Sequence, residues 1–401
     1  MSADMPEPDN FELHAGDVLA DRYELVAPIG QGGYASIWDA QDARIDRLVA
    51  IKVLTAELHH LESEPRDRIL ARFEQEAKLA ARIDHPNVVH IYDYGRLGQD
   101  RLHPFIVMER LTGRDLEQQI YDIGPLSAAR ALPLFVPCLE ALGKAHEHGI
   151  VHKDLKPGNV VFDNPDQPDE SFRVVDFGIA FMENAAAGRL TKTGDILGTP
   201  QYMAPEYIDD QTVSPALDVY QTGLILVELL SGRRLVDERT AVACMQRHIT
   251  GDLGIPRILM ESALGPVIVG ALATDPEERF ADATAFARAL GTIEPREIPV
   301  VPQGDIPLTK PVMSATQPDH ASQATEILPS LQPTEPMDEV PAHIAEAAED
   351  DSTYNETLDE GSQLSASQTR QLEELRRIFD ESPGEAGSQT LPRPDSKAST
   401  M

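Results

Sequence analysis

The sequence predicts an α+β fold, with strands in its first quarter and helices over its middle, followed by a segment too poor in apolar residues to build a core. Three observations predict it. The apolar runs Val49-Ala50-Ile51-Lys52 and Phe105-Ile106-Val107-Met108-Glu109-Arg110-Leu111 read as strands. Ile69, Phe73, Glu76, Ala80 and Ile83 recur at steps of four and three and so share one helix face, and Asp218-Val219-Tyr220-Gln221-Thr222-Gly223 opens a strongly apolar helix. Residues 294–401 hold only two aromatics, Tyr354 and Phe379, with 21 acidic against 7 basic residues and abundant Pro, Ser and Thr, so burial cannot offset the cost of ordering them.

Taken in order, the first twenty residues are acidic and read as a flexible N-terminus. Ile29-Gly30-Gln31-Gly32-Gly33-Tyr34-Ala35-Ser36-Ile37 reads as a glycine-rich turn between two strands, where missing side chains let backbone N–H groups approach a phosphate. Alone this is a weak signal, since glycine-rich turns are common hairpin punctuation. On the helix that follows Lys52, Glu76 falls on the buried stripe, where an unpaired carboxylate is costly, so it needs a cation; Glu74 points elsewhere and reads as a solvated charge. The most informative stretch is His152-Lys153-Asp154-Leu155-Lys156-Pro157-Gly158-Asn159, followed by Asp176-Phe177-Gly178. Its spacing places a proton acceptor, Asp154, and two metal-binding groups, Asn159 and Asp176, around one phosphate.

On these residues the chain resembles the eukaryotic-like (Hanks-type) serine/threonine protein kinases of bacteria. The resemblance implies a two-lobed protein kinase fold over residues 21–292: a small antiparallel-sheet N-lobe with one main helix (21–108), a hinge (109–112) and a larger, mostly helical C-lobe (113–292). An acidic, disordered Pro/Ser/Thr-rich tail over 293–401 follows. It also implies ATP and Mg²⁺ as cofactors, with Mn²⁺ able to substitute, and transfer of the γ-phosphoryl group to protein Ser or Thr hydroxyls. By family correspondence Asp154 orients the hydroxyl and accepts its proton, Lys156 neutralises the transferring group, and Lys52, paired with Glu76, holds the α- and β-phosphates. Gly30, Gly32 and Gly33 cover the phosphates, while Asn159 and Asp176 hold the metal. Ile37, Ala50 and Val161 sandwich the adenine, Met108 lines the back of its pocket, and the hinge backbone at Glu109 and Leu111 binds its edge; the apolar members of this set read equally well as core. Thr199 ties the substrate platform to the catalytic loop. Asp218 and the pair Glu206–Arg279 brace the C-lobe.

Two departures stand out. Ala35 replaces the third family glycine, and Lys153 replaces an arginine whose fork would grip a phosphorylated activation loop, a task that an ammonium performs less well. Thr191 and Thr193 nevertheless stand where bacterial members carry autophosphorylation sites. The competing reading is a catalytically weak pseudokinase or scaffold that uses the fold and tail for partner binding, against which stands retention of Lys52, Glu76, Asp154, Asn159 and Asp176.

The net charge of −33 argues against nucleic acid or anionic membranes as partners. No run approaches the roughly 20 apolar residues that span a bilayer, and no signal peptide is visible, so the expected location is cytoplasmic. Cys138 and Cys244 are too few for a disulfide framework and fit a reducing compartment. In the tail, Gln368, Leu372, Leu375 and Phe379 form an apolar stripe that reads as a short helix over 366–381, either a partner-binding segment or a transient helix without function. Thr316 and Thr357, with Asp319 and Glu360 three residues on, read as docking sites for an FHA-type phosphothreonine-binding partner, against the plainer reading of a Thr-rich linker. The physiological substrates and the oligomeric state do not follow from the sequence.

Overall fold

The computed structural model describes residues 12–31, 35–54, 74, 77–78, 80–97, 103–177, 199–304 and 307–309. The N-terminal part is a six-stranded antiparallel sheet in the order β1-β2-β3-β4-β6-β5, built from β1 (Val18–Leu19), β2 (Tyr23–Gln31), β3 (Ala35–Asp42), β4 (Arg47–Leu54), β5 (Ile91–Leu97) and β6 (His103–Glu109). Period-two alternation sorts its side chains. Val49, Ile51 and Val53 of β4 and Phe105 and Val107 of β6 pack with Tyr23, Leu25 and Trp38 on one face. The intervening Ala50, Leu54, Ile106 and Met108 pack on the other, with Ile37, Leu111 and Val175 against them. Lys52 falls between Ala50 and Leu54, so the alternation sends its side chain to this second face.

The C-terminal part is mainly helical and includes a three-stranded sheet of β7 (Arg114–Asp115), β8 (Val160–Asp163) and β9 (Ser171–Val174). Its helices are α1 (Ala128–Glu147), α2 (Pro205–Asp210), α3 (Pro215–Ser231), α4 (Ala241–Thr250), α5 (Gly265–Leu272) and α6 (Ala283–Gly291). α3 is buried along nearly its whole length, as its predominantly apolar sequence requires, and forms the axis of the largest core cluster. α1 and α6 approach closely at Gly143, where a Cβ would lie 2.1 Å from Thr284 Oγ1, so no larger residue fits without moving α6. Thr240 and Asp282 cap α4 and α6, accepting from the N–H groups of Ala243 (3.2 Å) and Ala285 (2.8 Å).

The packed body extends beyond the expected boundary at residue 292. Ile298 and Val301 are buried in the main core cluster, Gln303 Nε2 donates to Ser231 O (3.3 Å), and β11 (Leu308–Thr309) pairs antiparallel with β10 (Ile255–Pro256). Average composition read the whole stretch after 292 as tail, but two aliphatic side chains and a ladder of two residues suffice when a finished core already offers them a surface. The remaining tail features, including the helix over 366–381 and Thr316 and Thr357, lie outside the described residues. A chain ending at residue 293 should melt below one ending at residue 309, because Ile298 and Val301 each contribute about 1.5–3 kcal/mol by burial; equal calorimetric midpoints would show that this strap adds nothing.

Candidate active site

The site is organised by α3. Asp218, in its first turn, is fully buried. Its Oδ2 accepts from the N–H of His152 (2.8 Å) and from His146 Nε2 (2.9 Å), and its Oδ1 accepts from the N–H of Lys153 (2.9 Å). Three donors compensate a carboxylate that would otherwise be untenable there. Ala283 N–H donates to His146 Nδ1 (3.3 Å), which places the histidine proton on Nε2, facing Asp218. Lys153 has φ +72°, a region that costs a non-glycine residue energy, and the two N–H bonds to Asp218 flank that strain. One turn further, Gln221 Oε1 accepts from Leu155 N–H (2.9 Å), while its Nε2 donates to Lys153 O (3.2 Å) and Tyr202 O (3.0 Å).

His152 fixes the next segment. Its Nε2 donates to Val175 O (2.9 Å) and its ring packs on Phe177 at 4.8 Å, so the residues around Asp176 (φ +61°) are held to the loop that carries Asp154. Asp154 Oδ2 accepts from Lys156 Nζ (2.9 Å) and Asn159 Nδ2 (3.0 Å), and Asn159 Nδ2 also donates to Asp154 O (2.6 Å). With its amide nitrogen committed, Asn159 is left with Oδ1 as a cation donor. Asp176 Oδ2 pairs with Lys52 Nζ at 2.8 Å. A carboxylate and an amide oxygen are the hard donors that Mg²⁺ takes when phosphates and water complete its shell, so these residues fit a divalent ion. Among the described residues no cluster of three or more His, Cys, Asp or Glu could hold a metal by itself.

Ile37, Ala50, Met108 and Leu111 gather in one apolar cluster, whereas Val161 lies half-buried on β8 opposite Asp115 and Arg173. Gly30 sits opposite Ile37 in the β2–β3 register. The Glu109 carboxylate accepts from Arg173, which also donates to Val88 O (3.2 Å), and Arg110 pairs with Asp39 of β3; the two interactions tie the 109–112 segment to β9 and to the sheet. Gly32, Gly33, Glu76, Thr191 and Thr193 lie outside the described residues.

Beside Asp154 lies the turn Thr199–Met203. Lys156 Nζ donates to Thr199 Oγ1 (3.3 Å), linking the turn to the loop that carries Asp154. Behind it the Glu206 carboxylate and the Arg279 guanidinium form a fully buried bidentate pair (2.7 and 2.8 Å), with Arg279 stacked 4.7 Å over Tyr220. Tyr202 and Tyr121 hydroxyls both donate to Glu228 Oε2 (2.7 Å each), and burial raises the Glu228 pKa above the ordinary glutamate value. Sequence reasoning reached Asp218, Glu206, Arg279 and Thr199 but missed Gln221, Glu228, His146, Arg173 and His248. For Gln221 and Glu228 a signal existed: both are polar residues inside an otherwise apolar helix.

The chain belongs to the protein kinase domain family, whose model matches residues 23–288. It is 33% identical over 289 residues to the serine/threonine-protein kinase PknB of Mycobacterium tuberculosis, covering 71% of this chain and 45% of that protein. To the serine/threonine-protein kinase pkn3 of Myxococcus xanthus it is 33% identical over 297 residues, covering 72% of this chain and 53% of that one. The chain thus spans about half the length, or less, of such relatives. Its fold is similar to the crystal structure of the Mycobacterium tuberculosis PknI kinase domain, with a TM-score of 0.53 and 25% identity over 70% of this chain and 99% of that one. Family membership implies use of ATP and a divalent metal.

His248 gives the site a measurable acid limb. Burial pushes its pKa down to about 4. As pH falls the unfolded chain takes up this proton first, so the stability due to a neutral His248 is complete above about pH 6.5 and is lost progressively toward pH 4. Denaturant titrations should therefore show a shallower loss of stability over pH 6.5–4 in His248→Gln than in the wild type.

Proposed function

We propose that the chain is a serine/threonine protein kinase that transfers the γ-phosphoryl group of Mg-ATP to protein hydroxyls. The observation that carries this reading is the convergence of Lys156 and Asn159 on one oxygen of Asp154, with Asp176 on an adjoining segment that His152 ties to the same loop. Asp154 orients the acceptor hydroxyl and takes its proton. Lys156, already in contact with Asp154, neutralises charge developing on the transferred group. Asn159 and Asp176 would hold Mg²⁺, or Mn²⁺ in its place, and the ion would supply charge neutralisation at the phosphate oxygens. Lys52 holds the α- and β-phosphates with Glu76, Gly30, Gly32 and Gly33 around them, and Ile37, Ala50, Met108, Val161 and the 109–111 backbone enclose the adenine.

Ser/Thr preference is supported by Lys156 and its contact with Thr199, and by similarity to the serine/threonine-protein kinases PknB and pkn3. A cytoplasmic site of action agrees with the sequence; among the described residues no helix is long and apolar enough to cross a membrane. Phosphate on Thr191 or Thr193 regulates the loop they occupy, and phosphorylated Thr316 or Thr357 recruits an FHA-type partner.

Asp154→Asn should leave ATP affinity nearly unchanged and abolish most transfer, because the lost interaction belongs to the transition state. Radiolabel incorporation into myelin basic protein and into the chain itself, read beside nucleotide binding, checks this; binding without transfer by the wild type would favour a pseudokinase. Mass spectrometry should find phosphate on Thr191 or Thr193 in wild-type protein and none there in Lys52→Met.

A further inference from the structure

The turn Thr199–Met203 borders the proposed base, since Thr199 shares Lys156 with Asp154, so on the kinase reading an acceptor presented to Asp154 passes beside it. The turn is a single 3₁₀ unit, Pro200–Tyr202, closed by Tyr202 N–H donating to Thr199 O (3.0 Å). So short a unit does not hold its own shape in water. Its outer contacts must set it. At one end Lys156 takes Thr199 Oγ1; at the other Gln221 takes Tyr202 O, and Glu228 takes the Tyr202 hydroxyl. The carbonyl between them, Pro200 O, has His248 Nε2 at 3.1 Å.

His248 belongs to α4 and is fully buried. Its Nδ1 lies 2.8 Å from the hydroxyl of Tyr220, itself fully buried on α3. A neutral imidazole with these two partners has one consistent arrangement: the Tyr220 hydroxyl donates to Nδ1, and Nε2–H donates to Pro200 O. Tyr220 in turn carries the Arg279 guanidinium on its ring, 4.7 Å from the centroid, and Arg279 is locked to Glu206. The ring therefore cannot rotate to another partner without breaking a bond on one side. A rigid chain runs from the Glu206–Arg279 pair through Tyr220 and His248 to one backbone oxygen of the 199–203 turn.

We propose that His248 is a positioning residue for the protein acceptor: through Tyr220 and its bond to Pro200 O it sets the shape of the 199–203 turn, and hence the fit of the acceptor segment beside Asp154, without touching nucleotide. This rests on the kinase reading above. It assigns α4, outside the cleft and away from the nucleotide groups, a direct part in acceptor affinity.

Two isosteres separate the bonds. In His248→Gln the side-chain amide can reproduce the Nε2 donor to Pro200; in His248→Asn the shorter side chain can satisfy Tyr220 but cannot reach Pro200. Steady-state kinetics of the full chain with Mg-ATP and myelin basic protein, together with thermal melting, decides the matter. His248→Asn should raise the acceptor KM by on the order of three- to tenfold, the size of one lost hydrogen bond, with the ATP KM unchanged. His248→Gln should restore the acceptor KM toward wild type even where its melting temperature is lowered as much as that of His248→Asn. A rise in acceptor KM that follows melting temperature in both variants would show a merely structural histidine and overturn the proposal. An unchanged acceptor KM in His248→Asn would overturn it as well, leaving the kinase reading intact. No transfer by the wild-type chain would overturn both.

Discussion

One buried carboxylate holds the site together. Asp218 has no access to water, and its charge is tolerable only because two backbone N–H groups of the loop that carries Asp154 and one histidine donate to it. The dependence runs both ways. Without the loop, α3 would carry an uncompensated charge in its first turn; without Asp218, Lys153 would have little reason to remain at φ +72°. The backbone that presents Asp154 is therefore fixed by the demand of the helix behind it for neutralisation, and not by its own sequence.

The Glu206–Arg279 pair acts by the same logic on a different segment. Fully buried ion pairs add little net stability compared with an apolar filling, yet loss of one partner strands the other at a cost of roughly 3–5 kcal/mol. What such a pair supplies here is fixity: Arg279 also donates to Ala216 O (3.0 Å) and Ala273 O (2.6 Å), so α2, the start of α3 and the segment after α5 share one guanidinium.

The parts of this architecture visible in the sequence are those with a short linear signature. Val49–Lys52 and Phe105–Met108 are apolar runs legible as strands, and the structure sends their successive apolar residues to opposite clusters. The spacing of Asp154, Lys156 and Asn159 is local, and those three side chains do meet. Contacts made across long separations left no such trace: His146 lies 72 residues from Asp218, and Arg173 lies 64 from Glu109. His248 reads as an ordinary polar position in an amphipathic helix until Tyr220 and Pro200 are seen on either side of it. The strap after residue 292 was hidden for another reason. Composition averages a stretch, whereas docking needs only Ile298 and Val301 at the right two positions.

The two ammonium groups of the cleft each rest against a carboxylate, Lys52 against Asp176 at 2.8 Å and Lys156 against Asp154 at 2.9 Å. Taken as pairs these four groups are electroneutral, so their charges are matched within the protein in place of a field that would attract any passing ion. On the proposed kinase reading, loading amounts to an exchange of partners. A lysine can turn to phosphate only as its carboxylate gains another cation, and a carboxylate can accept that cation only as its lysine finds an anion. Nucleotide and metal arriving together satisfy both halves of the exchange at once, while either alone leaves one charge exposed. On this arrangement the two should bind with positive coupling, because each brings the charge that the other's arrival leaves unpaired.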